Sequence, residues 1–465
     1  MVLLAVATAE FLTTFMVSSV NIALRAIDDD WHVSAVALSW ISLAYILMIA
    51  ALLMPAGRLA DIYGRKRFFL LGLAIFSLFA FASAAAPSAP VLIALRVLQG
   101  VGTGMLYACT SAMVTLAYPP EQRGRALGIQ VAGVYLGFTL GPFLGGVIID
   151  HLGWRMVFVV GGVLGVLICL LAGWRLRRIE WKEPRRAHFD VIGSAVWAVA
   201  LTMFLIGLSL LPTAVGWVLT AGGVAGIGGF LWRETRTADP ILNIDLFRRN
   251  RVFAYSNGAT FICYAATYAM SFLVSLYLEY NKGLSAQAAG VVLVTGTVVQ
   301  TVFSPIAGRV ADRFNARRVG SAGLVVCVFG LVMLAFLGGA SQYWYIILTL
   351  CVLGFGFAFF ATPLIHAIMG SVDRSYAGVA SATIATMRMT GQNISMGLAT
   401  LVLAVFVGRH PIGTADYPHL LTSIHVTFAA LAGVCLLAVG ASLLPAGKAE
   451  AAAKILPADS GEPPH

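Results

Sequence analysis

Fourteen stretches of this chain are each long and apolar enough to cross a bilayer. A hydrocarbon core about 30 Å thick needs about 20 consecutive apolar residues in a helix. Runs bounded by charges, Pro/Gly clusters or polar turns fall near 2–24, 34–56, 68–87, 90–117, 125–149, 155–174, 190–211, 214–232, 253–278, 286–307, 318–338, 343–368, 376–407 and 423–444. Lipid offers the backbone no hydrogen bonds, so each run reads as a helix. Composition points the same way: 60% of the residues are apolar and 11% are charged, against about 25% charged in a soluble domain. The expected fold class is an all-α polytopic membrane protein with 14 transmembrane helices. The 48 glycines show no collagen-like period. The six cysteines lie inside apolar runs without CxxC spacing and read as packing residues. The first run lacks a basic front end, so it is expected to remain a span rather than be cleaved.

The basic residues orient these spans. With an even count, both ends lie on one side. Of 30 Lys and Arg, 24 then fall on the side of the termini, in seven short segments, and four (Arg25, Arg155, Lys282 and Arg409) on the other. The positive-inside rule makes the first side cytoplasmic. That asymmetry explains the net charge of +10 without a nucleic-acid partner. The expected location is the cell membrane, multi-pass, with both termini inside.

Residues 57–67 read GRLADIYGRKR, and residues 308–318 read GRVADRFNARR. The offset of 251 residues exceeds a six-helix half by about 50, enough for two further helices. The expected architecture is a bundle over 1–175, two inserted helices with basic linkers over 176–252, a second bundle over 253–445, and a polar cytoplasmic tail over 446–465. In the repeated loop, Gly57 and Gly64 permit a turn and close helix approach. Asp61 can meet a helix N-terminus or the basic Arg65 and Lys66. Gly308, Asp312 and Arg313 repeat the pattern. Such a cluster is expected to latch helices in one conformation.

GRLADIYGRKR resembles the signature loop of the major facilitator superfamily. LRVLQGVGTG (95–104) is similar to its helix-4 motif, with Arg96 and Gln99 at the polar positions. Gly128, Gly137, Gly141, Pro142, Gly145 and Gly146 form G-x8-G-x3-G-P-x2-G-G, which resembles the superfamily's antiporter motif on helix 5. DPILNIDLFRRNRVF (239–253) and TMRMTGQNISMG (386–397) resemble segments of its fourteen-helix drug:proton antiporter branch. The resemblance implies a major-facilitator-like fold, two six-helix bundles plus the inserted pair. It also implies a secondary transporter that exports small amphipathic or cationic compounds against protons by alternating access. One position departs from the branch. Where its first helix usually carries an acid, FMVSSVNIALR (15–25) has Met16. An uncoupled facilitator or single-metabolite exporter is therefore the alternative, with a transport-deficient membrane sensor behind it.

Three ionisable residues lie well inside spans: Glu10, Arg96 and Arg388. Burying such groups costs at least ~2.5–3.5 kcal/mol, so each is a candidate for proton coupling. Helical rise places Glu10 about 12 Å from the cytoplasmic end and well below Arg96. Asn21, Gln99, Tyr135, Asn257, Tyr264, Tyr268 and Gln392 are candidates for lining a central cavity, with Gln130, Gln300, Met16, Met387 and Met389 beside them. The small residues and Pro142 of the antiporter motif allow close approach and a kink. No metal-ligand spacing, dinucleotide loop or catalytic constellation appears, so no cofactor, metal or enzymatic activity is expected. The expected partners are a small molecule, protons and lipid, with the chain acting as a monomer.

Overall fold

The computed structural model describes residues 1–177, 190–237, 244–314, 316–372 and 377–443. The expected tail and the basic residues Arg178, Lys182, Arg185, Arg186 and Arg374 lie outside them. Among the described residues, fourteen helices are long and apolar enough to cross a membrane. The first six are α1 (Val2–Trp31), α2 (Ala35–Tyr63), α3 (Arg65–Ala84), α4 (Ala89–Ala117), α5 (Pro120–Leu152) and α6 (Arg155–Arg175). The inserted pair is α7 (Val191–Leu210) and α8 (Ala214–Glu234). After a short helix, Ile244–Arg249, come α9 (Arg251–Asn281), α10 (Ala286–Arg313), α11 (Ala316–Ala335), α12 (Tyr343–Gly370), α13 (Ala377–Phe406) and α14 (Tyr417–Leu443). This chain is a multi-pass membrane protein.

Capping side chains start several helices. Ser34, Asp190, Thr213, Asn250 and Ser285 each accept from the backbone N–H three residues on. Gly64, with φ of 110°, breaks the chain between α2 and α3 at the repeated loop. Several helices overrun the apolar runs that mark them, among them α1, α2, α5, α10 and α14. Helix α1 runs on through Asp28, Asp29 and Asp30, beyond the apolar run that ends near residue 24. Helix α14 starts at Tyr417, ahead of the apolar run, because polar residues can form its exposed first turn. Helix α9 is interrupted at Tyr268 and ends in a π-helical turn over Tyr277–Asn281.

Packing repeats with a shift of eight helices. In the first bundle α1 packs on α5, α2 on α4, and α3 on α4 and α6. In the second, α9 packs on α13, α10 on α12, and α11 on α12 and α14. The bundles meet along two equivalent seams, α2 with α13 and α5 with α10. The inserted pair packs on one of these: α7 touches both α2 and α13, and Trp197 Nε1 donates to the Ala50 carbonyl at 3.2 Å. Large apolar side chains such as Leu170, Phe336 and Leu437 cover the outside, where lipid tails lie.

Candidate functional site

A cavity of about 190 Å³ lies between the bundles, with walls from both. Asn21, Tyr135, Tyr264, Tyr268, Gln300, Arg388, Met389 and Gln392, all singled out in the sequence, line it. Tyr107, Phe138 and Phe357 add aromatic surface that the sequence did not mark. Among the described residues, Arg388 is the one ionised side chain on this wall, and no carboxylate lines it. Five expected wall residues, Gln99, Asn257, Gln130, Met16 and Met387, are elsewhere. Gln99 is fully buried and accepts from Arg96 through Oε1, and Asn257 is fully buried and donates to the Phe253 carbonyl one turn back. Each amide is bonded through one atom along its own helix, while Gln99 Nε2 and Asn257 Oδ1 are buried without a partner. Met16 packs against Gly161 of α6, and Met387 faces a separate lateral pocket beside α8.

The cavity is closed on the face away from the termini. Tyr280 Oη donates to Asp28 Oδ2 at 2.5 Å, and Arg25 donates to the Glu279 carbonyl while lying over the Tyr280 ring. The Gln287 N–H donates to Asp150 Oδ2 at 3.1 Å, and Ser34 bridges Pro411. Deeper in, Ser275 Oγ donates to the Asn21 carbonyl, Thr400 Oγ1 to Ser39 Oγ and Asn393 Nδ2 to the Ile46 carbonyl. Every one of these bonds joins the two bundles at the level of the cavity or beyond it. Glu279, near the outer end of α9, is buried, with Oε1 2.6 Å from Ser275 Oγ.

The three intramembrane ions have different surroundings. Glu10 is 4% exposed. Its Oε1 accepts from Thr110 Oγ1 at 2.7 Å and Gln130 Nε2 at 3.1 Å, while Oε2 is buried without a partner. Thr13, one turn on, donates to Tyr107 Oη at 3.0 Å, so Glu10 lies just behind the cavity wall. Arg96 is 1% exposed and lies away from the cavity. It donates to the Ile41 carbonyl and Gln99 Oε1 and sits 4.0 Å from the Tyr45 ring centroid. Fourteen residues of α4, about 21 Å of rise, separate it from Thr110, so Glu10 and Arg96 do not pair. Arg388 reaches the cavity from α13, meets the Tyr264 hydroxyl and attracts Glu10 electrostatically.

The antiporter motif forms two seals. A Cβ on Gly137 would stand 2.6 Å from the Phe11 carbonyl oxygen, and one on Gly141 would stand 3.0 Å from that of Phe15. Gly145 is equally close to Ser19. Gly133, unmarked in the sequence, extends this stripe against Ala7. Thr14, Ser18 and Ser19 of α1 donate across the contact to the carbonyls of Val134, Gly137 and Gly141. Gly146 and Pro142 instead face α10, against Ala286 and Gly290. Gly128 faces open space and takes no part.

In the repeated loop, Arg65 pairs with Asp61 at 2.5 Å, and Lys66 donates to the Leu176 carbonyl at the end of α6. Gly57, expected to allow close approach, faces open space. Gly308 makes only ordinary contact with Thr362, and Arg313 ends α10. The Asp312 side chain lies outside the described residues.

The model of the Major Facilitator Superfamily matches residues 6–232 and 257–460. The chain belongs to the major facilitator superfamily. This facilitator is 32% identical over 399 residues to the multidrug resistance protein Stp of Mycobacterium tuberculosis, covering 83% of the chain and 73% of that relative. It is 29% identical to the riboflavin transporter RibZ of Clostridioides difficile, over 88% of each. Its fold matches a crystal structure of a bacterial homolog of the human lysosomal transporter Spinster, with a TM-score of 0.69, 16% identity and 95% of each chain covered. Transporters of this family bind small-molecule substrates.

Proposed function

We propose that the protein exports aromatic amphipathic small molecules across the cell membrane by alternating access, and that protons act on it through Glu10. The observation that carries this reading is the cavity itself. It is walled by both bundles, rich in tyrosine and phenylalanine, and bonded shut on the face away from the termini. With the basic face cytoplasmic, this state accepts ligand from inside. Opening the other face requires breaking the Tyr280–Asp28, Arg25–Glu279 and Gln287–Asp150 contacts. The glycine seal of α5 on α1 then keeps the helices in contact while the bundles rock. Stp, by its name a drug-resistance protein, supports export of foreign compounds. RibZ, by its name a riboflavin transporter, supports an aromatic cargo.

Glu10 is the coupling candidate because one carboxylate oxygen is buried without a partner behind the cavity wall. A neutral carboxyl leaves less uncompensated charge there than a carboxylate does. In proteoliposomes, Glu10→Gln should abolish acceleration of efflux by an inward pH gradient while leaving downhill exchange. Unchanged gradient-driven pumping by the variant refutes the role. A second reading, facilitation without protons, is favoured by Met16, which fills the usual acidic position and packs tightly on Gly161.

A further inference from the structure

We propose that the cavity selects anionic aromatic molecules, with Arg388 as the residue that binds the acidic group. The inference rests on reading the cavity as the substrate site, and it departs from the cationic cargo that the resemblance implied. Arg388 brings a permanent positive charge to the wall from α13. Its Nε is buried and has no hydrogen-bond partner, so part of its donor fork is unused. None of the described ion pairs includes it. The nearby carboxylate, Glu10, spends its one bonded oxygen on Thr110 and Gln130 instead.

The surroundings of Arg388 suit an anion. Tyr264 brings a hydroxyl to the guanidinium, and Gln392 lies one helical turn along the same wall. Tyr135 and Gln300 line the same cavity. Each can donate a hydrogen bond to an oxyanion. A planar carboxylate or an ionised phenol matches the fork of a guanidinium. Tyr268 and Phe357 offer faces and edges to a ring system attached to that group. A cationic ligand would meet the Arg388 charge with no carboxylate on the wall to offset it. Export of an anion is also favoured by a membrane potential that is negative inside, whether or not protons take part.

The test uses three probes that share one ring system: anthracene-9-carboxylate, anthracene-9-methanol and anthracene-9-methylammonium. Saturable binding to the purified full-length protein in detergent is followed by fluorescence anisotropy at pH 7.5. The carboxylate should bind about tenfold or more tighter than the alcohol, and the ammonium more weakly than either. In R388Q the carboxylate-to-alcohol affinity ratio should fall to about one, and in R388K part of the preference should return. The proposal is overturned by equal or tighter binding of the ammonium, by absence of saturable carboxylate binding, or by an unchanged ratio in R388Q. The comparison on the unsubstituted protein decides the charge preference even if a variant fails to fold. Charge preference without flux in vesicles would remove the transport reading and leave this site. Flux of neutral and cationic aromatics without preference would remove the site and leave that reading.

Discussion

The contact between α1 and α5 makes a prediction with its control built into the same motif. Gly137 and Gly128 are both motif glycines on α5, yet only Gly137 touches α1. A methyl group at Gly137 would stand 2.6 Å from the Phe11 carbonyl oxygen and 2.9 Å from the Phe15 nitrogen, where ordinary contact begins at 3.4 Å. Backbone atoms cannot swing aside as a side chain can. Gly137→Ala therefore requires the two helices to separate by several tenths of an ångström. That movement strains the Thr14–Val134 and Ser18–Gly137 bonds, each 3.2 Å long. Overpacking of this kind costs about 1–3 kcal/mol. Gly128→Ala meets nothing within 4 Å and gains helix propensity instead, worth up to about 1 kcal/mol. Thermal unfolding in detergent gives the readout. In a chain this long, 1 kcal/mol moves Tm by no more than roughly 2 °C. Gly137→Ala should lower Tm by about 1–6 °C, and Gly128→Ala should leave it unchanged or slightly raised. Equal losses for both variants, or a silent Gly137→Ala, would refute the division of the motif into sealing and free glycines.

Arg96→Lys should destabilise by about 1–3 kcal/mol, because the Ile41 carbonyl and Gln99 Oε1 lose donors in a buried place. Anthracene probe affinity should hold, since Arg96 lies off the cavity wall; a large loss of affinity with unchanged Tm would contradict that placement. Tyr280→Phe removes the bond to Asp28 and should favour opening of the outer face by about 1.5–3 kcal/mol. A reporter cysteine at Ser271, on the cavity wall, should then label faster with an impermeant maleimide from the outside; unchanged labelling would show that this bond does not hold the face shut.

The spans were legible because lipid forces a single solution on any apolar run of sufficient length, and all fourteen formed. Their ends were less so. Asp28, Asp29 and Asp30 continue α1 although nothing apolar marks them, since Asp28 has a partner in Tyr280, 252 residues away. Polarity in an apolar helix marked the cavity residues Asn21, Tyr264 and Gln392, but it marked equally Gln99 and Asn257, which turn to Arg96 three residues back and to the Phe253 carbonyl four back and leave the other amide atom buried without a partner. The partners of Glu10 come from α4 and α5 and carried no sequence signal beyond their polarity. The glycine stripe showed in the four-residue spacing of Gly137, Gly141 and Gly145, but its partners Thr14, Ser18 and Ser19 emerge only once α1 lies against it.

The central claim is that the cavity opens alternately to the two faces and that ligand crosses in this way. A disulfide across the closed face tests it most directly. Ser34 and Pro411 form an isolated antiparallel bridge between the bundles, a spacing of about 4.5–5.5 Å between Cα atoms that a disulfide spans. In a background without the six native cysteines, Ser34→Cys with Pro411→Cys should carry anthracene-9-carboxylate across proteoliposomes when reduced. Oxidation should stop flux while leaving binding from the basic face intact, and reductant should restore it. Undiminished flux through the cross-linked protein would contradict alternating access through this cavity.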